Sequence, residues 1–345
     1  MNYNVKFSQI YLFFLCVIAI FSCRQTQRPD VSNIKVDIQI QRFDQDLKAG
    51  REQDSSLNRE NLSKKYGIFY SDYMHKVVGN TQLTDTEVLT NLYQSQAYTD
   101  LMKEVDSVYP NLKNVEKDLS QTFKYIKYYY PDIELPKIIS FVSGFTYQII
   151  QGDSYIGIGL DMFLGKDSKF YDAITGSVPR YQSRRFEKAY IVPRTTETFI
   201  REELFKERDE DQTLLAKMIY NGKVLYFMDQ VLPEHINDTL KIGYTAQQLN
   251  WCKNFEANIW GVFLERELLY QSNLQDIQTY LTDGPFTPGL GDKKLSAPKL
   301  GVWLGWQIVR KYMAENPEVS LQDLMKETDS QKVLNNSRYK PKLIH

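Results

Sequence analysis

The first 23 residues follow the pattern of an export signal, which limits the part of the sequence that can enter a folded domain. A single basic residue, Lys6, precedes an unbroken apolar run over residues 10–21, and the small Ser22 stands directly before Cys23. This run of 12 residues is shorter than the roughly 20 that a stable membrane-spanning helix needs. A basic start, a short apolar run and a small residue before the cleavage point are typical of a secretory signal peptide. The pattern therefore predicts that residues 1–22 are removed.

Cys23 would become the first residue of the mature chain, where the cysteine of a lipobox carries lipid in bacterial lipoproteins. Because Phe21 is bulkier than is usual at its position, an ordinary secretory signal with a chance cysteine and a short membrane anchor are the alternatives. Several acyl chains anchor firmly, since each buried methylene contributes about 0.8 kcal/mol. We expect lipid on Cys23 to be the membrane contact of this protein, with residues 23–33 as a polar tether. No acidic cluster follows Cys23, which favours the outer membrane, facing the periplasm.

Composition argues against an internal disulfide and against binding of nucleic acid by the mature chain. Cys252 is the one cysteine that follows Cys23, so an internal disulfide is not expected despite an oxidising compartment. The chain has 42 basic and 43 acidic residues and a formal net charge of −1. Such a balance is untypical of nucleic-acid-binding proteins and of polybasic membrane-surface segments, and no nucleic-acid partner is expected. The 24 tyrosines and 18 phenylalanines indicate a packed core rather than disorder.

Apolar periodicity predicts a single domain of mixed structure. Helical spacing is present over residues 43–49, 56–78, 84–109, 111–130, 194–208, 211–229, 245–269, 274–282, 300–315 and 320–335. Strand patterns are present over residues 34–40, 137–142, 146–150 and 155–160, the last two forming a hairpin around residues 151–154. Thr84 and Glu87 have the spacing of a capping box. The chain is therefore predicted to be α+β over residues 34–345, mostly helical, with a helical N-terminal part over about residues 34–131.

The usual nucleophilic and metal-binding motifs are missing from the sequence. The three histidines are His75, His235 and His345, and no two have the i, i+4 spacing that places two imidazoles on one helical face for zinc. There is no GxSxG elbow and no phosphate-binding loop, and the glycines at 157–159 lack the following helix of a dinucleotide site. We interpret His235 as a surface residue at a helix exit. The sequence predicts no metal site, no cofactor and no catalytic residue.

Carboxylates leave one catalytic alternative open. Asp153 and Asp161 bracket the second hairpin strand, and Asp167 and Asp172 follow. Two carboxylates held about 5–10 Å apart can hydrolyse a glycosidic bond. Aspartates at such positions more often bind backbone N–H groups in turns and caps. The cap interpretation is preferred, and an envelope hydrolase acting on peptide or glycan through Asp153 and Asp161 is the alternative.

The four tryptophans also allow two interpretations. Trp251 and Trp260 are predicted to lie in one helical segment, and Trp303 and Trp306 in another. Apolar neighbours at helical spacing indicate that most of them are core residues. An exposed pair could instead stack on a sugar or anchor a partner protein. Burial of Trp303 and Trp306 would exclude a glycan-binding module built on them.

Five short segments, read together, have the pattern of one known family. They are Arg42-Phe43-Asp44 and residues 155–165, 242–245, 285–287 and 301–309. With the lipobox cysteine they resemble the gliding-motility lipoprotein GldB family of Bacteroidota, over about residues 37–341. The resemblance implies an envelope lipoprotein whose role supports gliding motility or the associated secretion machinery.

A second resemblance concerns the order of elements over about residues 132–345, which is similar to that of HExxH zinc peptidases. In those enzymes one helix supplies two histidine ligands and a general-base glutamate, and a later Glu-Gly pair supplies the third ligand. Here residues 194–201 contain no histidine, and Asn221 precedes Gly222 where a glutamate would be expected. Without ligands there is no ion to activate water. The resemblance therefore implies a zincin-like architecture without the metal site, and a non-catalytic lipoprotein that binds an envelope partner protein.

Overall fold

The computed structural model of the protein describes residues 28–52, 55–79, 82–174, 176, 178–208, 210–291 and 295–343. The predicted export signal and Cys23 lie outside these residues. Residues 28–33 are irregular, and Asp30 Oδ1 accepts a hydrogen bond of 2.9 Å from the Ser32 backbone N–H. From Ile34 onward the chain forms one compact unit. Cys252 in this unit is a buried free thiol.

Four short strands of the described residues form a small mixed sheet. They are β1 (Ile40–Arg42), β2 (Lys137–Phe141), β3 (Ile149–Gly152) and β4 (Tyr155–Gly159). The order is β1-β2-β4-β3, with β1, β2 and β4 parallel and β3 antiparallel to β4. The predicted hairpin is confirmed, and with 60% of the chain helical the α+β class is confirmed as well.

Helices make up the remainder of the compact unit. The first part contains α1 (Phe43–Ala49), α2 (Ser55–Tyr66), α3 (Ile68–Asp72), α4 (Asp85–Gln94), α5 (Gln96–Val108) and α6 (Lys113–Tyr129). The second part contains α7 (Arg180–Ser183), α8 (Ile191–Phe199), α9 (Leu214–Val231), α10 (Asp238–Ile242), α11 (Ala246–Asn254), α12 (Glu256–Glu265), α13 (Leu274–Ile277), α14 (Leu300–Glu315), α15 (Leu321–Lys326) and α16 (Ser330–Ser337). Helices α3 and α8 each continue into one π-helical turn, at Tyr73–Val77 and Ile200–Leu204.

The predicted strand over residues 34–40 is wrong in extent, because only Ile40 of that range is in a strand. Side chains of helix α6 take the hydrogen bonds that a neighbouring strand would make. The Ile38 N–H donates to Ser120 Oγ at 2.8 Å, and the Ile40 N–H donates to Glu116 Oε1 at 2.9 Å. Alternating apolar residues therefore mark a segment that packs on a helix before the sheet begins.

Several long predicted helices are divided by residues that cap the following helix. The predicted helix at 84–109 breaks at Ser95, whose Oγ accepts from the Tyr98 N–H at 3.2 Å. The one at 320–335 breaks before Asp329, whose Oδ1 accepts from the Lys332 N–H at 2.8 Å. Serine and aspartate side chains compete in this way for backbone donors inside a helical pattern. The capping box at Thr84 is confirmed.

Aromatic side chains hold the N-terminal helices on the sheet. Phe43 and Tyr73 meet edge to face with their ring centroids 4.7 Å apart. Phe69 contacts Phe141 of β2 at 5.8 Å and Tyr155 of β4 at 5.2 Å. Such offset and edge-on pairs add about 0.5–1.5 kcal/mol each beyond the area they bury. This side of the sheet is therefore a rigid base for the elements that follow.

Helices α9 and α14 touch through their backbones. A Cβ on Gly222 of α9 would overlap the Gly305 carbonyl oxygen, and a Cβ on Gly305 would overlap the Met218 carbonyl oxygen. Close backbone approach of this kind requires glycine. Helix α14 is consequently enclosed, and α9 also packs against α8. The glycine contact fixes where the N-terminus of α14 and the middle of α9 lie relative to α8.

We expect Gly305→Ala to destabilise the protein strongly, by about 3 kcal/mol, because a methyl group cannot be accommodated between two backbones. Gly261→Ala on α12 is the matched control, since no atom lies within 4 Å of its Cβ position. There, alanine should raise stability by about 0.5–1 kcal/mol through its better helix propensity. Urea unfolding of both variants measures the difference. Equal stability of the two variants would contradict the close helix contact.

Candidate functional site

Helix α8 and its π-helical turn carry three interacting charged side chains at successive turns. Arg194 Nη1 lies 2.6 Å from Glu197 Oε2, and Arg201 Nη2 lies 2.9 Å from Glu197 Oε1. All three side chains are mostly buried. The carboxylate of Glu197 is therefore held between two guanidinium groups.

Asn221 of α9 completes this arrangement from the facing helix. Its Oδ1 accepts a hydrogen bond of 2.8 Å from Arg201 Nη2, and its Nδ2 donates to the Lys217 carbonyl at 2.8 Å. The Arg201 guanidinium also lies over the Tyr220 ring, 5.4 Å from the centroid. The structure thus brings together the segment 194–201 and Asn221, which the zinc-peptidase resemblance compared with a ligand set.

The donor set of this site does not fit a metal. Glu197 and Arg201 have i, i+4 spacing, but the second is a permanent cation and its guanidinium fills the space between Glu197 and Asn221. Among the residues that the structure describes, no group of three or more His, Cys, Asp or Glu side chains could hold a metal ion. Arg201 is instead held by an ion pair with Glu197 and a hydrogen bond to the Asn221 amide.

A second set of charges continues from Arg194 toward the N-terminus of α14. Arg185 Nη2 lies 2.7 Å from Asp283 Oδ2, and Lys299 Nζ lies 3.1 Å from Asp283 Oδ1. Arg185 Nη1 and Arg194 Nη2 come within 2.8 and 3.0 Å of the position a Cβ on Gly243 would occupy. We call these residues, with Arg184, the Gly243 cluster. Arg184 Nη2 donates to the Gly243 carbonyl at 2.8 Å.

The electrostatics of the two sets show an excess of positive charge. Burial alone would raise the pKa of Glu197, but Arg194, Arg201 and Lys299 lower it to about 2. Burial likewise opposes ionisation of Asp283, yet Lys299 and Arg185 hold its pKa well below the usual range. For Lys299 burial dominates and lowers the pKa to about 8, because the attraction of Asp283 is offset by the neighbouring arginines.

Tyr220 also lines a cavity of about 900 Å³. Its other walls are formed by residues 203–208, 210 and 211, by the first half of α9, and by residues 325–328 with Ser330. Lys223 projects into it and donates a hydrogen bond to the Glu327 carbonyl, and burial lowers the pKa of this lysine to about 8. Since Glu327 is the residue that follows α15, Lys223 serves as a cap for that helix.

The two aspartates of the hydrolase alternative do not converge. Asp153 lies exposed in the hairpin turn, and Asp161 lies fully buried beyond the far end of β4. The Asp161 carboxylate accepts hydrogen bonds from the Ser143 N–H at 2.9 Å and the Phe145 N–H at 2.7 Å. Burial raises the pKa of Asp161. Its contacts are those of a carboxylate that orders a loop.

The remaining candidates are surface or core residues. Trp303 and Trp306 are 1% and 0% exposed, so a glycan-binding module built on these two tryptophans is wrong. Trp306 Nε1 donates to Asp229 Oδ2 at 2.9 Å. Asp167 and Asp172 are exposed. His235 is also exposed, with Nε2 at 3.0 Å from Asp118 Oδ2.

Sequence reasoning missed the Gly243 cluster. Its members come from five separate parts of the chain, and no spacing rule connects them. One local signal exists: Lys299 directly precedes α14, where a cation is unfavourable beside the positive end of the helix. A basic residue at that position indicates that neighbouring groups hold it there.

We expect Glu197→Gln to cost about 3 kcal/mol, because it leaves two mostly buried guanidinium groups without their carboxylate. Glu202→Gln, an exposed position on the same π-helical turn, is the control and should be nearly neutral. Thermal or urea unfolding of both variants gives the comparison. A cost at Glu202 as large as that at Glu197 would contradict the described ion pairs.

The ion pairs of Glu197 also predict how the stability of the protein depends on pH. The pKa of Glu197 falls from 4.5 to about 2 on folding, so its stabilising contribution is complete above pH 4.5 and is lost as the pH falls toward 2. Unfolding midpoints of Glu197→Gln should therefore change less than those of the wild type over this interval. If the unfolding midpoints of the two proteins changed with pH in parallel, the lowered pKa of Glu197 would be excluded.

The comparisons with known proteins bear on the whole chain. The family model of the gliding motility protein GldB matches residues 24–341. No curated protein and no solved structure matches the chain, so its zincin-like architecture stays a prediction. Within the described residues no helix is both long and apolar enough to cross a membrane. Since the match covers nearly the entire sequence, the chain belongs to the family of the gliding motility protein GldB.

Proposed function

We propose that this protein is a non-catalytic lipoprotein of the cell envelope that supports gliding motility, or the associated secretion machinery, by binding a partner protein. The observation that carries the proposal is the position of Arg201. Its guanidinium lies between the Glu197 carboxylate and the Asn221 amide, in the two segments that the sequence resemblance compares with the ligand set of zinc peptidases. Unlike a zinc ion, the Arg201 guanidinium cannot bind a water molecule as a ligand and lower its pKa.

In this proposal the protein acts through its location at the membrane and through binding of a partner, and no catalytic step is assigned to it. Membership of the gliding motility family supports a role in the envelope. Acylation of Cys23 would hold the domain at a membrane, and the lack of an acidic cluster after Cys23 favours the outer membrane with the domain facing the periplasm. The partner would then be recognised by a surface of the domain.

The proposed anchor predicts the distribution of the protein between cell fractions. Wild-type protein should sediment with the membranes, and Cys23→Ser should move it to the periplasmic fraction, because an unacylated chain loses the buried methylenes. Cys252→Ser is the matched control, since that thiol is buried in the domain. Membrane association of Cys23→Ser at the wild-type level would contradict lipid anchoring through this residue.

Binding of a partner near the charged site can be tested by photocrosslinking in cells. A photoreactive amino acid at the exposed Gln247, which precedes Gln248, the acceptor of a hydrogen bond from Arg184, should capture one envelope protein reproducibly. The same probe at Lys64, exposed on α2, should not capture it. Capture at neither position, with motility and secretion unchanged after gene deletion, would contradict the proposal. Turnover of peptides or peptidoglycan by the purified chain, lost in Glu197→Gln, would contradict the non-catalytic part.

A further inference from the structure

The geometry points to the Gly243 cluster as a binding site for a carboxylate group on an acidic segment of a protein partner. The inference rests on the proposed function, because it names the chemistry by which the partner is recognised. It depends on three features of the described residues: an excess of cations, the convergence of two guanidinium groups at Gly243, and the unpaired end of one arginine.

The first feature is the charge count. Five cations and two carboxylates lie in or next to the cluster, and most of their side chains are largely buried. The cations are Arg184, Arg185, Arg194, Arg201 and Lys299, and the carboxylates are Glu197 and Asp283. Charged groups in such positions are normally paired. A cluster with this excess is stabilised by an anion from outside.

The second feature is the approach of two guanidinium groups. Arg185 and Arg194 both reach the Cα side of Gly243, where a Cβ would contact each of them. Like charges this close repel one another. Gly243 itself has φ +78°, a left-handed conformation that favours glycine. The two arginines thus converge on a point where a bridging anion would turn repulsion into attraction.

The third feature is an unused donor. Arg194 Nη1 pairs with Glu197, while Nη2 is buried and has no hydrogen-bond partner. A buried donor without an acceptor is rare in native structures and costly. A carboxylate that entered beside Asp283, whose side chain is 32% exposed, would supply the missing acceptor.

The end of helix α14 adds to the same field. Lys299 precedes this 16-residue helix with φ 43°, no side chain caps its first turn, and that turn contains no acidic residue. No acidic residue of the helix itself therefore offsets the positive end of its dipole. Asp283 is the one carboxylate that pairs with Lys299 there among the described residues, and a second carboxylate would be favoured by the remaining positive charge.

Asp283 shows which ligand the site fits. Its two oxygens are held by Arg185 at 2.7 Å and by Lys299 at 3.1 Å, so these cations already bind a carboxylate in this geometry. Arginine forks match the planar carboxylate group well. An acidic side chain of a partner would be bound in the same way, alongside Asp283 or in competition with it.

The test uses the full chain and two synthetic probes, a capped tetraglutamate peptide and a capped tetraglutamine peptide, at constant ionic strength in isothermal titration calorimetry. We expect only the acidic peptide to bind, and Arg194→Gln to weaken that binding by about tenfold or more. Arg338→Gln is the control, because that side chain is 81% exposed and lies outside the cluster. Inorganic phosphate is titrated in parallel.

Because Arg194→Gln could impair folding, Asp283→Asn provides an independent variant. Removing the competing carboxylate should make the acidic peptide bind several-fold more tightly, and unchanged or weaker binding would overturn the assignment. Equal affinity for both peptides, equal loss in Arg338→Gln, or binding of phosphate without the acidic peptide would also overturn it. If the acidic peptide fails while the Gln247 probe still captures a partner, the carboxylate site is wrong and the proposed function stands. If instead the acidic peptide binds while the Gln247 probe captures no partner, the carboxylate site stands and the proposed function is wrong.

Discussion

The contact of α9 and α14 through Gly222 and Gly305 is the constraint on which the site depends. Two backbones in contact leave no freedom for the helices to slide past each other, because any displacement brings a carbonyl oxygen into the facing chain. With α9 fixed, Asn221 faces α8. With α14 fixed, its N-terminus and Lys299 lie beside Arg194 and Asp283. A pair of glycines with no polar chemistry thus determines where the charges meet.

The charges that meet there form a chain of partners rather than a coordination site. Asn221 binds Arg201, Arg201 and Arg194 share Glu197, and Arg185 and Lys299 share Asp283. Buried ion pairs of this kind are costly to break, yet they contribute little net stability over an apolar core. Their retention is easier to understand if the site has a function, and the surplus of cations indicates what that function would bind.

Much of the fold could be predicted from the sequence because it depends on local patterns. Apolar spacing predicted the helices, and the Thr84 capping box and the hairpin around Asp153 were predicted at the correct positions. Breaks at Ser95 and before Asp329 were missed, because a polar residue within an apolar period can be exposed or can cap, and only the packing decides. The strand expected over residues 34–40 failed for a similar reason, since the bonds to Ser120 and Glu116 are not local.

The site was predictable only in part. Residues 194–201 and Asn221 could be singled out by comparison with a zinc-peptidase order of elements, but no sequence pattern indicated that Arg201 fills the space between Glu197 and Asn221. Arg185 and its partner Asp283 lie 98 residues apart along the chain, and no spacing rule reveals such a pairing. Their positions follow from the helix contact and not from any motif.

The central claim is that the Arg201 guanidinium fills the space between Glu197 and Asn221 and leaves no room for a metal ion, and anomalous diffraction tests it most directly. Crystals of the protein soaked in zinc would be measured on both sides of the zinc absorption edge. The account predicts that the Arg201 guanidinium stays between Glu197 and Asn221, with no anomalous peak there. A zinc peak between these two side chains, with Arg201 displaced, would contradict it.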